Sequence, residues 1–111
     1  MKSEYLDCLK ACESCIEACE NCARECLNEA STEMAECIRL NRDCADICAL
    51  LVRFILRNSP IVGHLANVCL EVCQECGDEC GSHEHMEHCR ICSEACYLCA
   101  ETCAQIISVT H

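Results

Sequence analysis

The chain has 111 residues and a net charge of −11, from 19 acidic and eight basic side chains. This length predicts a single domain, residues 1–111, and the negative charge disfavours a nucleic-acid partner because an anionic surface repels phosphate. Eighteen residues are cysteine and only three are aromatic, so the cysteines must account for much of any core.

The N-terminal segment carries Glu4 and Asp7 where a secretory signal would be apolar, and we interpret it as belonging to a protein that is not exported. The longest uncharged apolar run, 47–52, is too short to cross a bilayer. We therefore expect a cytoplasmic protein with no membrane partner. Since cytoplasmic thiols are kept reduced, dense cysteine there favours metal or redox chemistry over disulfides.

Three groups of helix-breaking residues divide the chain into four segments of about 22 residues each. The first group is the polar cluster 28–32. The second, Asn58-Ser59-Pro60, predicts an N-cap followed by Pro at the first helical position, and the third predicts Gly81 as a C-cap and Ser82 as the next N-cap. Because short connections make neighbouring helices antiparallel, the prediction is an all-α, up-down-up-down four-helix bundle.

Cysteine spacing carries the helical periodicity. In the first segment the spacing alternates between four and three residues, which puts every cysteine on one face. The third and fourth segments repeat this pattern, and the second is sparser, with Asn41 on the same face in a register-fixing or hydrogen-bonded role. The sequence predicts a Cys-lined core whose metal ligands are Cys8, Cys12, Cys15, Cys19, Cys22, Cys26, Cys37, Cys44, Cys48, Cys69, Cys73, Cys76, Cys80, Cys89, Cys92, Cys96, Cys99 and Cys103.

The charge and the softness of thiolate ligands indicate which metal the core would bind. Cysteines three or four apart on a helix can clamp a two-coordinate ion, and thiolates select Cu(I), Zn(II) or iron–sulfur clusters. One Cu(I) per thiolate neutralises the core, whereas Zn(II) with four thiolates leaves two buried negative charges. We predict many Cu(I) ions, up to about 18 per chain. The alternatives are a metallothionein-like Zn or Cd buffer and an iron–sulfur electron-transfer protein.

The two ends of the predicted bundle differ in composition. One end, here called the closed end, collects aliphatic residues that include Leu51, Ile55 and Ile106. The opposite end, here called the mouth, collects Cys26, Cys37, Cys80 and Cys89 together with four further candidate ligands that would relay incoming ions: His83, His85, Met86 and His88. We expect His64 and His111 to be bystanders. No thiol is singled out as a nucleophile, so we expect no enzyme activity.

The C-x3-C-x2-C-x3-C spacing on four helices resembles that of the bacterial copper storage proteins, in particular their cytosolic branch. The resemblance implies a cytosolic Cu(I) store, a homotetramer, and binding by the cysteines with a His-bearing mouth. We expect copper to arrive by ligand exchange from small thiols or a copper chaperone. Ile91, Tyr97 and Leu98 form an apolar strip that also favours a homo-oligomer.

Overall fold

A computed structural model describes residues 1–29 and 32–110 of the chain. Within these ranges the chain forms four α-helices and one turn of 3₁₀ helix at Thr32–Met34. The α-helices are α1 (Ser3–Leu27), α2 (Ala35–Leu56), α3 (Val62–Gly81) and α4 (Glu87–Val109). The prediction of four helices is confirmed; His111 lies outside the described residues.

The helices form an antiparallel bundle measuring 44 × 19 × 18 Å. Helix α1 packs against α2 and α4, and α3 packs against the same two helices. Sulfur contacts give the direction: Cys22 near the end of α1 lies 3.8 Å from Cys89 at the start of α4, and Cys37 early in α2 lies 3.3 Å from Cys80 late in α3. Late residues of one helix meet early residues of its neighbour, so the predicted up-down-up-down topology is confirmed.

The cysteine face of each helix is the core face. Every one of the 18 cysteines has at most 1 % of its surface exposed, as the heptad spacing predicts. Charged residues occupy the outer faces, where Arg39 pairs with Glu36 and Asp43, and Arg90 pairs with Glu94. Such exposed pairs add little stability, so burial of the cysteine face is what holds the helices together. No helix in 1–29 or 32–110 has the length and hydrophobicity to cross a bilayer.

The connection between α2 and α3 corrects one part of the cap prediction. Asn58 has φ 54°, the left-handed conformation, and it ends α2 rather than beginning α3. The amide of Asn58 donates to the Ile55 carbonyl and that of Ser59 donates to the Phe54 carbonyl, which satisfies two terminal carbonyls of α2. Ser59 does not cap α3 either: the helix begins at Val62, so Pro60 precedes its first turn, and the Ser59 hydroxyl accepts the amide of Ile61 at 3.3 Å within the connection.

The predicted caps between α3 and α4 are wrong. Gly81 is the last helical residue of α3 and its φ is not positive, so it is no left-handed cap. Ser82 does not cap α4: its hydroxyl donates back to the Glu79 carbonyl at 2.6 Å, and α4 begins after Met86. A Cβ on Gly81 would lie 3.3 Å from the Ser93 hydroxyl, so the close approach of α4 explains a small residue here.

Helices α3 and α4 approach each other closely at Gly77. The Ser93 hydroxyl donates to the Gly77 carbonyl at 2.8 Å, and the Tyr97 ring lies over Gly77, where a Cβ would be 2.8 Å from the ring edge. The Tyr97 hydroxyl also donates to the Asp78 carboxylate. Gly77 therefore lets the two helices approach closely, which keeps their cysteine faces within sulfur contact.

The closed end is sealed by aliphatic packing, as predicted. Leu51, Ile55, Val62, Ala66 and Ile106 are at most 5 % exposed. Half-buried side chains cover this group from outside: Tyr5, Phe54, Leu65 and Ile107. This end supplies the conventional hydrophobic core of the bundle, because burying an aliphatic side chain contributes about 1.5–3 kcal/mol each.

Candidate metal centre

Each of the 18 cysteines is a free thiol, and together the thiols form a continuous column of sulfur along the bundle axis. Within one helix the close contacts join residues four apart, at 3.8–3.9 Å, as for Cys15 with Cys19 and Cys69 with Cys73. This agrees with the geometry of a helix, in which residues four apart are neighbours on one face.

Contacts between helices are as short as those within a helix. Cys44 of α2 lies 3.6 Å from both Cys15 of α1 and Cys73 of α3, and Cys12 of α1 lies 3.7 Å from Cys99 of α4. The sequence prediction placed each pair of ligands on one helix. The folded bundle adds partners from the neighbouring helices, because antiparallel packing brings their heptad stripes into register.

These contacts assemble into groups of four thiols whose sulfur atoms all lie within 4.8 Å of one another. Neighbouring groups share members, so that Cys15 and Cys99 each belong to two of them. From the closed end to the mouth the groups include Cys12-Cys48-Cys69-Cys99, Cys15-Cys48-Cys73-Cys99, Cys15-Cys19-Cys44-Cys96, Cys19-Cys76-Cys92-Cys96 and Cys22-Cys26-Cys37-Cys89. With metal–sulfur bonds of about 2.3 Å, sulfurs about 3.8, 4.0 or 4.6 Å apart suit tetrahedral, trigonal or linear coordination.

Asn41 stands on the cysteine face of α2, fully buried among thiols of three helices. Its amide oxygen accepts from Cys76 and Cys92 at 3.3 Å and from Cys80 at 3.4 Å, and its amide nitrogen donates to Cys37 at 3.8 Å. The side chain is thus hydrogen-bonded on both sides, as a buried amide requires. The predicted polar role is confirmed, with partners on α2, α3 and α4.

Burial sets the protonation of the thiols near the mouth. It raises the pKa of Cys26 to about 11, and it also raises the pKa of Cys89. Both groups are therefore protonated at neutral pH in the metal-free protein. A metal ion that binds here as a thiolate complex must displace these protons, so binding strengthens as pH rises.

The three histidines of the mouth differ in their surroundings. The Nε2 of His83 lies 2.9 Å from the Glu79 carboxylate, and its side chain is 16 % exposed. His85 is exposed, with its ring 6.4 Å from that of His83. Among the residues that the structure describes, none provides a hydrogen-bond partner for the buried Nε2 of His88.

Sequence reasoning missed two residues at the mouth. Met34 is not among the predicted ligands, yet it is 1 % exposed and belongs to the buried cluster that contains the cysteines. Glu79 is not among them either, although it lies four residues before His83, a spacing that favours contact where a helix ends. Met86 is half-buried against the same cluster, whereas His64 is exposed on α3, as expected of a bystander.

Comparison with known proteins identifies relatives over almost the whole chain. The family model described as "Copper storage protein" matches residues 1–108. An uncharacterized cysteine-rich protein of Bacillus subtilis (strain 168), YhjQ, is 44% identical over 100 residues, which cover 90% of this chain and 82% of that protein.

Two of the similar solved structures are described as copper-loaded. The Cu(I)-bound copper storage protein BsCsp3 superposes with a TM-score of 0.89 at 40% identity, covering 95% of this chain and 99% of that one. A cytosolic copper storage protein from Streptomyces lividans, loaded with five coppers, gives a TM-score of 0.91 at 35% identity and covers 95% and 92% of the two chains.

Proposed function

The chain belongs to the copper storage protein family, and from this premise we propose that it is a cytosolic store that holds many Cu(I) ions on its core thiolates. The observation that carries the proposal is the column of 18 buried free thiols, most of which belong to groups of four. Thiolate is the soft ligand that Cu(I) prefers. We assign all 18 cysteines as ligands.

Charge balance supports a monovalent cargo. When a Cu(I) ion replaces the proton of a thiol, the net charge of the core does not change. Up to about 18 ions can then be held with no uncompensated charge in a core that water does not reach. Sharing of thiols between groups also increases the number of ions that the core can hold, since each sulfur bridges two ions and each ion needs only two or three sulfurs.

Titration of the reduced, metal-free protein with Cu(I) in the presence of a competing chelator tests this function. We expect about one ion per cysteine. Alanine at both Cys15 and Cys19 should lower the capacity by only a few ions, because Cys44, Cys96 and the other thiols around them still form bridges. The matched control is Ser14→Ala, which changes an exposed residue on the outer face of α1 and leaves all 18 thiols in place.

Two results would contradict the proposal. If the double variant at Cys15 and Cys19 lost all binding, the thiols would form one discrete cofactor site, as in an iron–sulfur protein. If the parent and the Ser14→Ala control both took up no Cu(I), the storage role itself would be wrong.

A zinc buffer is the second candidate, favoured by one feature of the core. Four thiols within 4.8 Å of one another match the ligand set of a tetrahedral Zn(II) site. However, a Zn(II) ion held by four thiolates keeps two negative charges, which is costly in a buried core. Uptake of about half as many Zn(II) ions as Cu(I) ions would separate the two metals in the same titration.

We further propose that copper enters at the mouth, through His83, His85, Met86 and His88. The closed end is covered by aliphatic side chains, whereas the mouth carries the five-residue connection between α3 and α4, the helices that bear Cys80 and Cys89. The unpartnered Nε2 of His88, one residue before Cys89, supports a role for this imidazole as an intermediate ligand.

Replacing the three mouth histidines with Ala and Met86 with Leu should slow Cu(I) transfer from a chelator while changing the final capacity by no more than a few ions. The reason is that exchange into a buried thiol needs intermediate ligands at the surface, whereas the thiols themselves set the capacity. Stopped-flow loading measures the rate, and His64→Ala, an exposed histidine distant from the mouth, is the control. Equal rates for parent and variant would mean that copper enters elsewhere.

The remaining assignments concern assembly and delivery. We propose a homotetramer, supported by Ile91, Tyr97 and Leu98 on the outside of α4, which are 43–53 % exposed. Sedimentation of the parent beside Leu98→Glu measures this assembly. Small thiols or a copper chaperone would supply the ions by ligand exchange, and the role is storage without catalysis.

A further inference from the structure

We propose that Glu79 is a positioning residue for His83: its carboxylate holds the imidazole in one tautomer, so that Nδ1 is the nitrogen that receives copper at the mouth. The proposal rests on the proposed function, because it concerns the path by which Cu(I) reaches the core thiols. The structural basis is a contact of 2.9 Å between His83 Nε2 and Glu79 Oε2.

The chemistry of the pair fixes the direction of the hydrogen bond. An ionised carboxylate can only accept, so the Nε2–H of His83 must be the donor. In the neutral imidazole the other nitrogen, Nδ1, then keeps its lone pair and is the ring atom able to bind a cation. In metal sites, a carboxylate behind a ligating histidine fixes both the tautomer and the ring orientation in this way.

The surroundings make this pair more than a surface contact. Both side chains are half-buried, at 16 % exposure for His83 and 26 % for Glu79. Glu79 lies in the last turn of α3, and its backbone carbonyl also accepts the Ser82 hydroxyl and amide. The amide of His83 donates to the Cys80 carbonyl at 3.0 Å. The imidazole is therefore attached to the end of α3 through both its backbone and its ring.

The other two histidines of the mouth, His85 in the connection and His88 in the first turn of α4, lack such an anchor in the part of the chain that the structure describes. His85 is exposed, and its ring contact is with His83 at 6.4 Å. His88 has a buried Nε2 without a hydrogen-bond partner. Among the three, His83 is thus the imidazole whose geometry is set before copper arrives, which is what a receiving ligand needs for fast exchange.

A double-mutant cycle on Cu(I) loading tests the proposal. Loss of a carboxylate behind a metal-binding histidine lowers metal affinity about 10- to 100-fold, so we expect Glu79→Ala to slow transfer from a chelator by about tenfold. His83→Ala should slow it equally, and the double variant should be no slower than either single one, because Glu79 acts through His83. Glu79→Gln should retain the parental rate, since its amide oxygen still accepts the Nε2–H.

A spectroscopic readout separates positioning from a general structural effect. In ¹⁵N-edited NMR of the reduced, metal-free protein, the His83 ring should carry its proton on Nε2 in the parent and in Glu79→Gln. In Glu79→Ala the ring should show both tautomers. The control is Glu84→Ala, which removes an exposed carboxylate from the same connection and should leave both the tautomer and the loading rate unchanged.

The outcomes distinguish this inference from the proposed function. The positioning role is overturned if Glu84→Ala or Glu79→Gln loads copper as slowly as Glu79→Ala. Such a result would mean that the loading rate depends only on the negative charge of the mouth. If His83→Ala is slow and Glu79→Ala is not, the inference also fails while uptake at the mouth stands. A parent that binds no Cu(I) would instead overturn the storage function itself.

Discussion

Loading the protein with Cu(I) is expected to raise its unfolding temperature by at least about 15 °C. A ligand present at a thousand times its dissociation constant stabilises the folded state by about 4 kcal/mol per site, and each kcal/mol is worth about 4–8 °C in a domain of this size. Many sites are filled here, but the unfolded chain keeps its thiols and retains part of the copper affinity, which reduces the gain.

Circular dichroism during heating measures this effect on the reduced chain with and without copper. The metal-free chain should already be helical, because helix periodicity and the aliphatic closed end specify the bundle without metal, unlike a zinc finger. A coil spectrum that becomes helical only after Cu(I) is added would refute a preformed store. Loading that leaves the unfolding temperature unchanged would place copper outside the core.

Leu51→Ala should be the most destabilising single truncation of the metal-free bundle. Leu51 is fully buried at the closed end, and removing a buried Leu side chain typically costs about 2–5 kcal/mol. That loss corresponds to a drop of roughly 10–30 °C in the unfolding temperature. The effect is large because thiols pack as small, weak hydrophobes, so few other side chains supply a conventional core.

The neighbouring residue provides the matched control for this variant. Leu50 is 37 % exposed, and Leu50→Ala should cost less than about 1 kcal/mol. Copper should restore much of the stability of Leu51→Ala, since the variant keeps all 18 thiols, and its Cu(I) capacity should equal that of the parent. Equal losses in the two variants would show that the closed end does not hold the metal-free bundle together.

Much of the fold was predictable because the cysteines themselves carry the periodicity. Alternating spacings of four and three leave only one face on which all the thiols of α1 can lie, and that face must be buried. The segments between the stripes, which include Asn58-Ser59-Pro60, are few and short, so they indicate where the helices end. The prediction of four antiparallel helices therefore needed no knowledge of side-chain packing.

The cap details were not predictable from residue types alone. Asn is favoured both at helix N-caps and in the left-handed position after a helix, and only the backbone hydrogen bonds of Asn58 and Ser59 decide between these roles. Gly81 fits a C-cap by composition, yet its smallness serves the approach of Ser93 from α4. Such choices depend on tertiary contacts that local sequence does not record.

The grouping of the thiols also required the folded chain. Heptad spacing indicates which residues face inward, but the partners of Cys15 on α2 and α4 depend on the relative height of the helices. The environment of Asn41 is similar: its position on the cysteine face was evident, whereas its three thiol donors on α3 and α4 were not. Register between helices is set by loops and closed-end packing.

The repeat along the bundle implies a simple rule for how capacity scales with size. A heptad adds about 10.5 Å of helix and two cysteines to a full stripe, so lengthening all four helices by one heptad would add about eight thiols. The 19 × 18 Å cross-section would stay the same, and each new layer would meet its neighbours as existing layers do. Storage in this architecture can therefore be enlarged in modular steps along one axis, whereas a fifth helix would disrupt every shared sulfur.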